Sequence, residues 1–153
     1  LDPLIRSDMQ KQLLELQSEL KKTIVFITHD LDEALRIGDQ ISILRDGAVI
    51  QDGDPQNIIM KPADDYIADF IKDINRGRVI KVSTLMTKAA RVPGPQFESS
   101  ALLEDVLTTM SESNVSSGAV VDSAGKVVGK ITMQDAIQAM ARPRRKETGK
   151  RYK

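Results

Sequence analysis

The sequence predicts an α/β protein organised in two successive parts. An amphipathic helical pattern runs directly into Thr23-Ile24-Val25-Phe26-Ile27-Thr28, a nearly continuous apolar, β-branched run of the kind that marks a strand covered on both faces. Asp46-Gly47 is a strong two-residue hairpin signal between two further strand-like segments. Beyond Arg78 the rhythm changes to strand, helix, strand, strand, helix, an α+β unit of about 60 residues.

Each element follows from its residues. Between Pro3 and Lys22, Leu4, Ile5, Met9, Leu13, Leu14, Leu16 and Leu20 recur at three- and four-residue steps, and Pro3 is tolerated in a first helical turn. The strand Thr23 to Thr28 comes next, then a loop opened by His29-Asp30. Asp32 to Ile37 reads as a short helix ending at Gly38. Gln40 to Arg45 and Ala48 to Gln51 are the strands of the hairpin. Asp54-Pro55 starts a helix to about Met60, and Pro62 precedes another from Ala63 to about Ile74, with Tyr66, Ile67, Phe70, Ile71 and Ile74 on one face. Asn75-Arg76-Gly77 closes it and is the expected domain boundary, so that residues 1–75 form the first domain.

In the second part, Val79 to Val82 reads as a short strand, Leu85-Met86 as a turn of helix, and Pro93-Gly94-Pro95 as a turn. Leu102, Leu103, Val106, Leu107 and Met110 give an amphipathic helix, with Ser99 or Ser100 available as its cap. Gly118 to Asp122 and Lys126 to Thr132 are strands around Ser123-Ala124-Gly125, and Met133 to Met140 is a closing helix.

Composition narrows the function classes. The chain has 153 residues, and its 22 basic and 22 acidic side chains cancel, so no net field steers it onto a nucleic-acid polymer. Without cysteine there are no disulfides, thiolate metal sites or cysteine nucleophiles. Apolar runs reach only about four residues, far below the roughly 20 that cross a bilayer, which predicts a soluble polypeptide. The start, Leu1-Asp2-Pro3, carries no secretion-signal pattern and reads as a cut. Residues 142–153 hold seven basic residues and one acid, net +6, and are expected to be a disordered tail.

The lone histidine, His29, directly follows the buried-type strand, and in open α/β sheets ligands collect at the carboxyl ends of strands. A single histidine can equally be incidental. Its context is more specific. Leu1-Asp2-Pro3-Leu4, a helix, Thr28-His29-Asp30-Leu31-Asp32-Glu33-Ala34, Asp39-Gln40-Ile41 and Asp46-Gly47 through Asp52-Gly53-Asp54-Pro55 follow in order. Together they resemble the C-terminal part of the nucleotide-binding domain of an ABC transporter ATPase subunit, over residues 1 to about 74. Ala63-Asp64-Asp65-Tyr66-Ile67-Ala68-Asp69-Phe70 looks most like the glycine betaine/proline importer subfamily. The resemblance implies that Leu1 and Asp2 belong to the D-loop. It also implies that His29 is the switch histidine that contacts the γ-phosphate of ATP and helps hold the attacking water.

No G-x-x-x-x-G-K-[ST] loop is present to cradle phosphates. By the resemblance, the Walker B strand and the Leu-Ser-Gly-Gly signature would lie upstream of Leu1. The chain alone is therefore expected to hydrolyse no ATP, which would bind only to a full-length subunit. Reading His29-Asp30 as a metal-binding pair fails for want of a second histidine or a closed set of donors, so no metal is expected.

Gly118-Ala119-Val120-Val121-Asp122 followed by Lys126-Val127-Val128-Gly129-Lys130-Ile131-Thr132-Met133-Gln134-Asp135-Ala136 resembles one CBS motif, over roughly residues 79–141. In CBS modules that bind adenine nucleotides, a Thr or Ser and an Asp three residues later contact phosphate and ribose; Thr132 and Asp135 match that pattern. A carboxylate can accept from two ribose hydroxyls, and a hydroxyl at a helix N-terminus can donate toward an anion. The same pair is equally a plain helix cap.

One CBS motif is half of the usual pair, which implies a homodimer. The resemblance further implies transmembrane permease partners and a cytoplasmic location at the inner face of the membrane. The basic tail could touch an anionic lipid surface. The expected function is thus part of the ATP-binding subunit of an osmoprotectant importer, with the CBS part regulating transport. The alternatives are a stand-alone dimer that senses an adenine nucleotide beside a non-catalytic ATPase remnant, and a purely structural dimerisation segment.

Overall fold

The structure, a computed structural model, describes residues 2–141 and divides the chain into two compact units that join in sequence between Ile71 and Lys72. Leu1 of the expected D-loop, and residues 142–153 with their expected disorder and lipid contact, lie outside the described residues.

Unit 1 begins with helix α1 (Pro3–Leu20). Asp2 Oδ1 accepts from the Leu4 N–H at 2.8 Å to start it, and Lys21, at a left-handed φ of 48°, ends it by donating its N–H to Gln17 O. The helix agrees with the apolar spacing, but its stripe is uncovered: Leu4, Ile5, Met9, Leu14, Leu16 and Leu20 are exposed. The expected strand Thr23 to Thr28 is not formed. It pairs with nothing among the described residues, and Val25 and Ile27 are 86% and 92% exposed. A β-branched run confers readiness to pair, but the ladder bonds and the covered faces must come from neighbours.

Helix α2 (Leu31–Ile37) follows, capped by Asp30 and closed at Gly38. Strands β1 (Ile41–Arg45) and β2 (Ala48–Gly53) then pair antiparallel. Asp46 and Gly47 both take positive φ, 51° and 79°, as a type I′ turn between right-twisted strands requires, and Gly47 does so without steric cost. Helix α3 (Pro55–Met60) is capped by Asp54, which accepts from the Asn57 N–H at 2.9 Å. Helix α4 (Asp65–Phe70) is shorter than expected. Asp64 delays its start by accepting from the Ile67 N–H, and of the predicted face only Ile67 and Ile71 are buried, while Tyr66, with the Arg45 guanidinium over its ring, and Phe70 stay exposed. Leu31, Leu35, Ile41, Ile43, Ile58, Ile59, Ile67 and Ile71 make up the buried apolar set of this unit.

Unit 2 opens with a 3-10 turn at Arg76–Arg78. Arg76, read from the sequence as part of the domain boundary, is buried, and its Nε donates to Ala139 O at 2.7 Å. That burial lowers its pKa from the ordinary arginine value, yet a guanidinium remains charged at neutral pH. The strand expected at Val79 to Val82 reduces to one bridge between Lys81 and Leu102, because helix α5 (Val82–Leu85) begins at once. Ile80 O still accepts from the Leu103 N–H, and the Val82 N–H donates to Ala101 O.

Four strands follow the order β3-β6-β5-β4: β3 (Thr87–Lys88), β4 (Gln96–Glu98), β5 (Ser117–Val121) and β6 (Val127–Thr132). All pairs are antiparallel except β4 with β5. Helix α6 (Leu103–Glu112) buries Leu103, Val106 and Met110 as its spacing predicts, but neither Ser99 nor Ser100 caps it; Leu102 occupies that position without a side-chain bond. Helix α7 (Met133–Met140) closes the unit. Val82, Phe97, Val106, Met110, Val120 and Ile131 form its central cluster, one or more from each of α5, β4, α6, β5 and β6.

Candidate functional site

His29 lies in the two-residue link, His29-Asp30, between the unpaired apolar run and α2. Its neighbours are braced from several directions. Thr28 Oγ1 donates to Glu33 Oε2 at 2.6 Å and accepts from the Asp30 N–H at 3.0 Å. Asp30 Oδ1 accepts from the Glu33 N–H at 3.2 Å, while Gln10 Nε2 of α1 donates to Glu33 Oε1 at 2.7 Å. Arg6 adds an ion pair to Asp30 at 3.6 Å. His29 itself is exposed, and among the described residues its imidazole makes no hydrogen bond or ion pair. The backbone on either side is thus fixed while the ring faces solvent, where it can act on a group supplied from outside. Asp2, the describable member of the expected D-loop pair, spends one carboxylate oxygen on capping α1, and no hydrogen bond joins it to His29.

The bracing residues were not singled out by sequence. A signal for them existed: Asp30-x-x-Glu33 at a helix start is a capping-box pattern, in which the third helical residue folds back across the cap. Here Glu33 turns to the Thr28 hydroxyl instead, and so carries the cap's rigidity onto the residue before His29.

Thr132 and Asp135 are brought together at the amino end of α7. Thr132 Oγ1 donates to Asp135 Oδ2 at 2.6 Å and accepts from the Asp135 N–H at 3.1 Å. This is an N-cap, and it leaves Asp135 Oδ1 without a partner among the described residues. The antiparallel register sets Thr132 opposite Ser117 and Lys130 opposite Ala119. An open depression of about 880 Å3 results, lined by Ser116, Ser117, Lys130, Thr132, Gln134 and Gln138 over the apolar Met133 and Ile137. Hydroxyls, an ammonium and a helix N-terminus on one concave surface can receive an anionic group, and the exposed Asp135 carboxylate beside it can accept from hydroxyls. Ser116, Ser117 and Lys130 were not marked by sequence, since the sheet register alone gathers them. Among the described residues no cluster of potential metal ligands occurs.

With the geometry in place, the CBS domain family model matches residues 72–142, all but the last of them described residues of unit 2. The chain as a whole aligns with curated proteins across both units. It is 49% identical over 133 residues to the glycine betaine/carnitine transport ATP-binding protein of Listeria monocytogenes, covering 84% of this chain and 32% of that protein. It is 42% identical over 142 residues to the glycine betaine transport ATP-binding protein of Bacillus subtilis, covering 91% and 32%. To the glycine betaine/proline betaine transport system ATP-binding protein of Escherichia coli it is 35% identical over 142 residues, covering 92% and 35%. Homologues of this chain are therefore betaine-type ABC transporter ATP-binding subunits, and its residues 72–142 carry a CBS domain. The chain spans about one third of the length of these relatives. No helix among the described residues is long and apolar enough to cross a membrane.

Proposed function

We propose that the chain acts within a longer ATP-binding subunit of an osmoprotectant importer for betaine-like solutes, working with transmembrane permease partners at the cytoplasmic face of the membrane. The observation that carries this reading is the alignment at 35–49% identity running through both units, CBS domain included. Residues 1–75 are then the end of a nucleotide-binding domain. Two features of unit 1 support this: the unpaired Thr23 to Thr28 run beside an uncovered α1 stripe has the character of a surface made to be packed against, and the exposed His29 follows it directly. In the complete subunit His29 contacts the γ-phosphate of ATP and orients the attacking water, with Leu1 and Asp2 in the D-loop.

Unit 2 regulates transport. An adenine nucleotide lies in the depression at the start of α7, its phosphate toward Lys130 and the Thr132 hydroxyl and its ribose hydroxyls on Asp135. A single CBS domain leaves Ile137 57% exposed at the middle of α7, which supports pairing of two copies into a homodimer. The test is uptake of labelled glycine betaine, together with ATP hydrolysis, by proteoliposomes that hold the complete subunit and its permease. His29→Ala should lower hydrolysis by at least about 100-fold while leaving unfolding of unit 1 unchanged. Full turnover in that variant, or no uptake by the unmodified complex, overturns the reading.

A further inference from the structure

Thr28, His29 and Asp30 make a closed turn. The Asp30 N–H donates to Thr28 Oγ1 at 3.0 Å, so a side-chain hydroxyl closes the turn and His29 stands at its centre. A threonine hydroxyl has a single proton and rotates until that proton finds an acceptor. Here the proton goes to Glu33 Oε2 at 2.6 Å, which leaves a lone pair of Oγ1 directed at the Asp30 N–H. The carboxylate is itself held, since Gln10 Nε2 of α1 donates to Glu33 Oε1 at 2.7 Å. In an ordinary capping box the glutamate would accept from the cap N–H directly. The hydroxyl inserted between Asp30 and Glu33 extends the cap backward and brings His29 inside it.

Two side chains of α1, one helical turn apart, reach this structure. Arg6 pairs with Asp30 Oδ2 at 3.6 Å and Gln10 meets Glu33. The arginine pair is long and about half exposed, so it contributes little. The run from Gln10 through Glu33 to Thr28 is short, partly buried and charge-assisted, and each bond in it polarises the next.

We propose that Glu33 is a positioning residue for His29: by fixing the Thr28 hydroxyl it sets the turn that presents the imidazole to solvent, and through Gln10 it ties that turn to α1. The inference rests on the switch reading of His29 and names what holds the ring in place. Glu33 acts through Thr28 and touches no ATP, so its loss should lower kcat and leave the KM for ATP in place.

The first readout needs no nucleotide and uses the 153-residue chain. Solvent exchange of the Asp30 amide, followed by NMR, should speed up about tenfold in Glu33→Gln, because a side-chain amide offers one acceptor oxygen where two donors converge. Thr28→Val, which removes the hydroxyl at nearly constant volume, should do the same. Swapping the partners, Gln10→Glu together with Glu33→Gln, should bring the rate back to within about threefold. Position 33 then accepts from Thr28 through its amide oxygen and donates its NH2 to the carboxylate at position 10. An unchanged Asp30 amide in Glu33→Gln and Thr28→Val, or no recovery in the swapped pair, overturns the proposal. The second readout is ATP hydrolysis by the complete subunit with its permease in proteoliposomes. Glu33→Gln should lower kcat about tenfold with KM within about twofold, and the swapped pair should regain most of the loss. An unchanged kcat, or a loss that lies wholly in KM, refutes the positioning role. If His29→Ala hydrolyses ATP at the full rate, the switch reading falls by itself, and the seat of His29 is decided by the Asp30 amide alone.

Discussion

Thr132 and Asp135 serve as a helix cap in the structure and as a nucleotide site in the proposal, and two substitutions separate those roles. Thr132→Val removes Oγ1 at nearly constant volume, so the Asp135 N–H loses its acceptor at 3.1 Å and the carboxylate loses its donor at 2.6 Å. Loss of such a cap costs about 1 kcal/mol. In a unit of roughly 70 residues that corresponds to a fall in Tm of about 4–8 °C. Asp135→Asn acts differently: its amide oxygen still accepts from the Thr132 hydroxyl, but the charge that would hold two ribose hydroxyls is gone. Hydrogen bonds to a charged group contribute about 1.5–3 kcal/mol. Asp135 is exposed, so the lower end applies, or about a tenfold rise in Kd. The assay is calorimetric titration of the full chain with ATP and with AMP, paired with melting curves. Asp135→Asn should melt within about 2 °C of the unmodified chain and bind about tenfold more weakly. If it binds ATP as the unmodified chain does, the pair is a cap and nothing more. If Thr132→Val melts unchanged, the cap itself has been misread.

Two other outcomes follow from the packing of unit 2. Gly118→Ala would place a Cβ 2.5 Å from Phe97 Cε2 and 2.8 Å from Pro95 O, and that carbonyl is already committed to the Ala119 N–H at 2.9 Å. The ring cannot retreat from the core without opening it, so urea unfolding followed by circular dichroism should show a loss of about 1–3 kcal/mol; no loss would mean that the β4–β5 contact is looser than described. Ile137→Glu should convert the proposed dimer to monomer in light scattering without shifting the melting of unit 2, because Ile137 is mostly exposed within one chain; equal masses for both proteins would remove α7 from the dimer surface.

What the sequence made legible was local. Asp46-Gly47 demands its turn from two residues, Asp54-Pro55 announces a helix start within four, and the α6 stripe needs only its own periodicity. What escaped was decided at a distance. Thr23 to Thr28 has every intrinsic mark of a strand, but pairing depends on neighbours that no local pattern reveals. Arg76 reads only as part of the domain boundary; its buried Nε bonds to a carbonyl 63 residues further along. The candidate sites divide in the same way. Thr132 and Asp135 stand at a recognisable spacing, whereas Ser116, Ser117 and Lys130 join them only through strand register. Around His29 the position could be read from the sequence and the bracing by Gln10 and Glu33 could not.

The open Thr23 to Thr28 stretch also has a bearing on handling. Six residues of β-branched and aromatic character, with neither charge nor proline and with no ladder partner, have the composition from which cross-β stacks grow. Lys21 and Lys22 on one side and Asp30 on the other stand as gatekeepers, since stacking identical chains in register would pile like charges at both ends. High salt screens that repulsion, so dilute, low-salt storage favours the dispersed protein over fibrils.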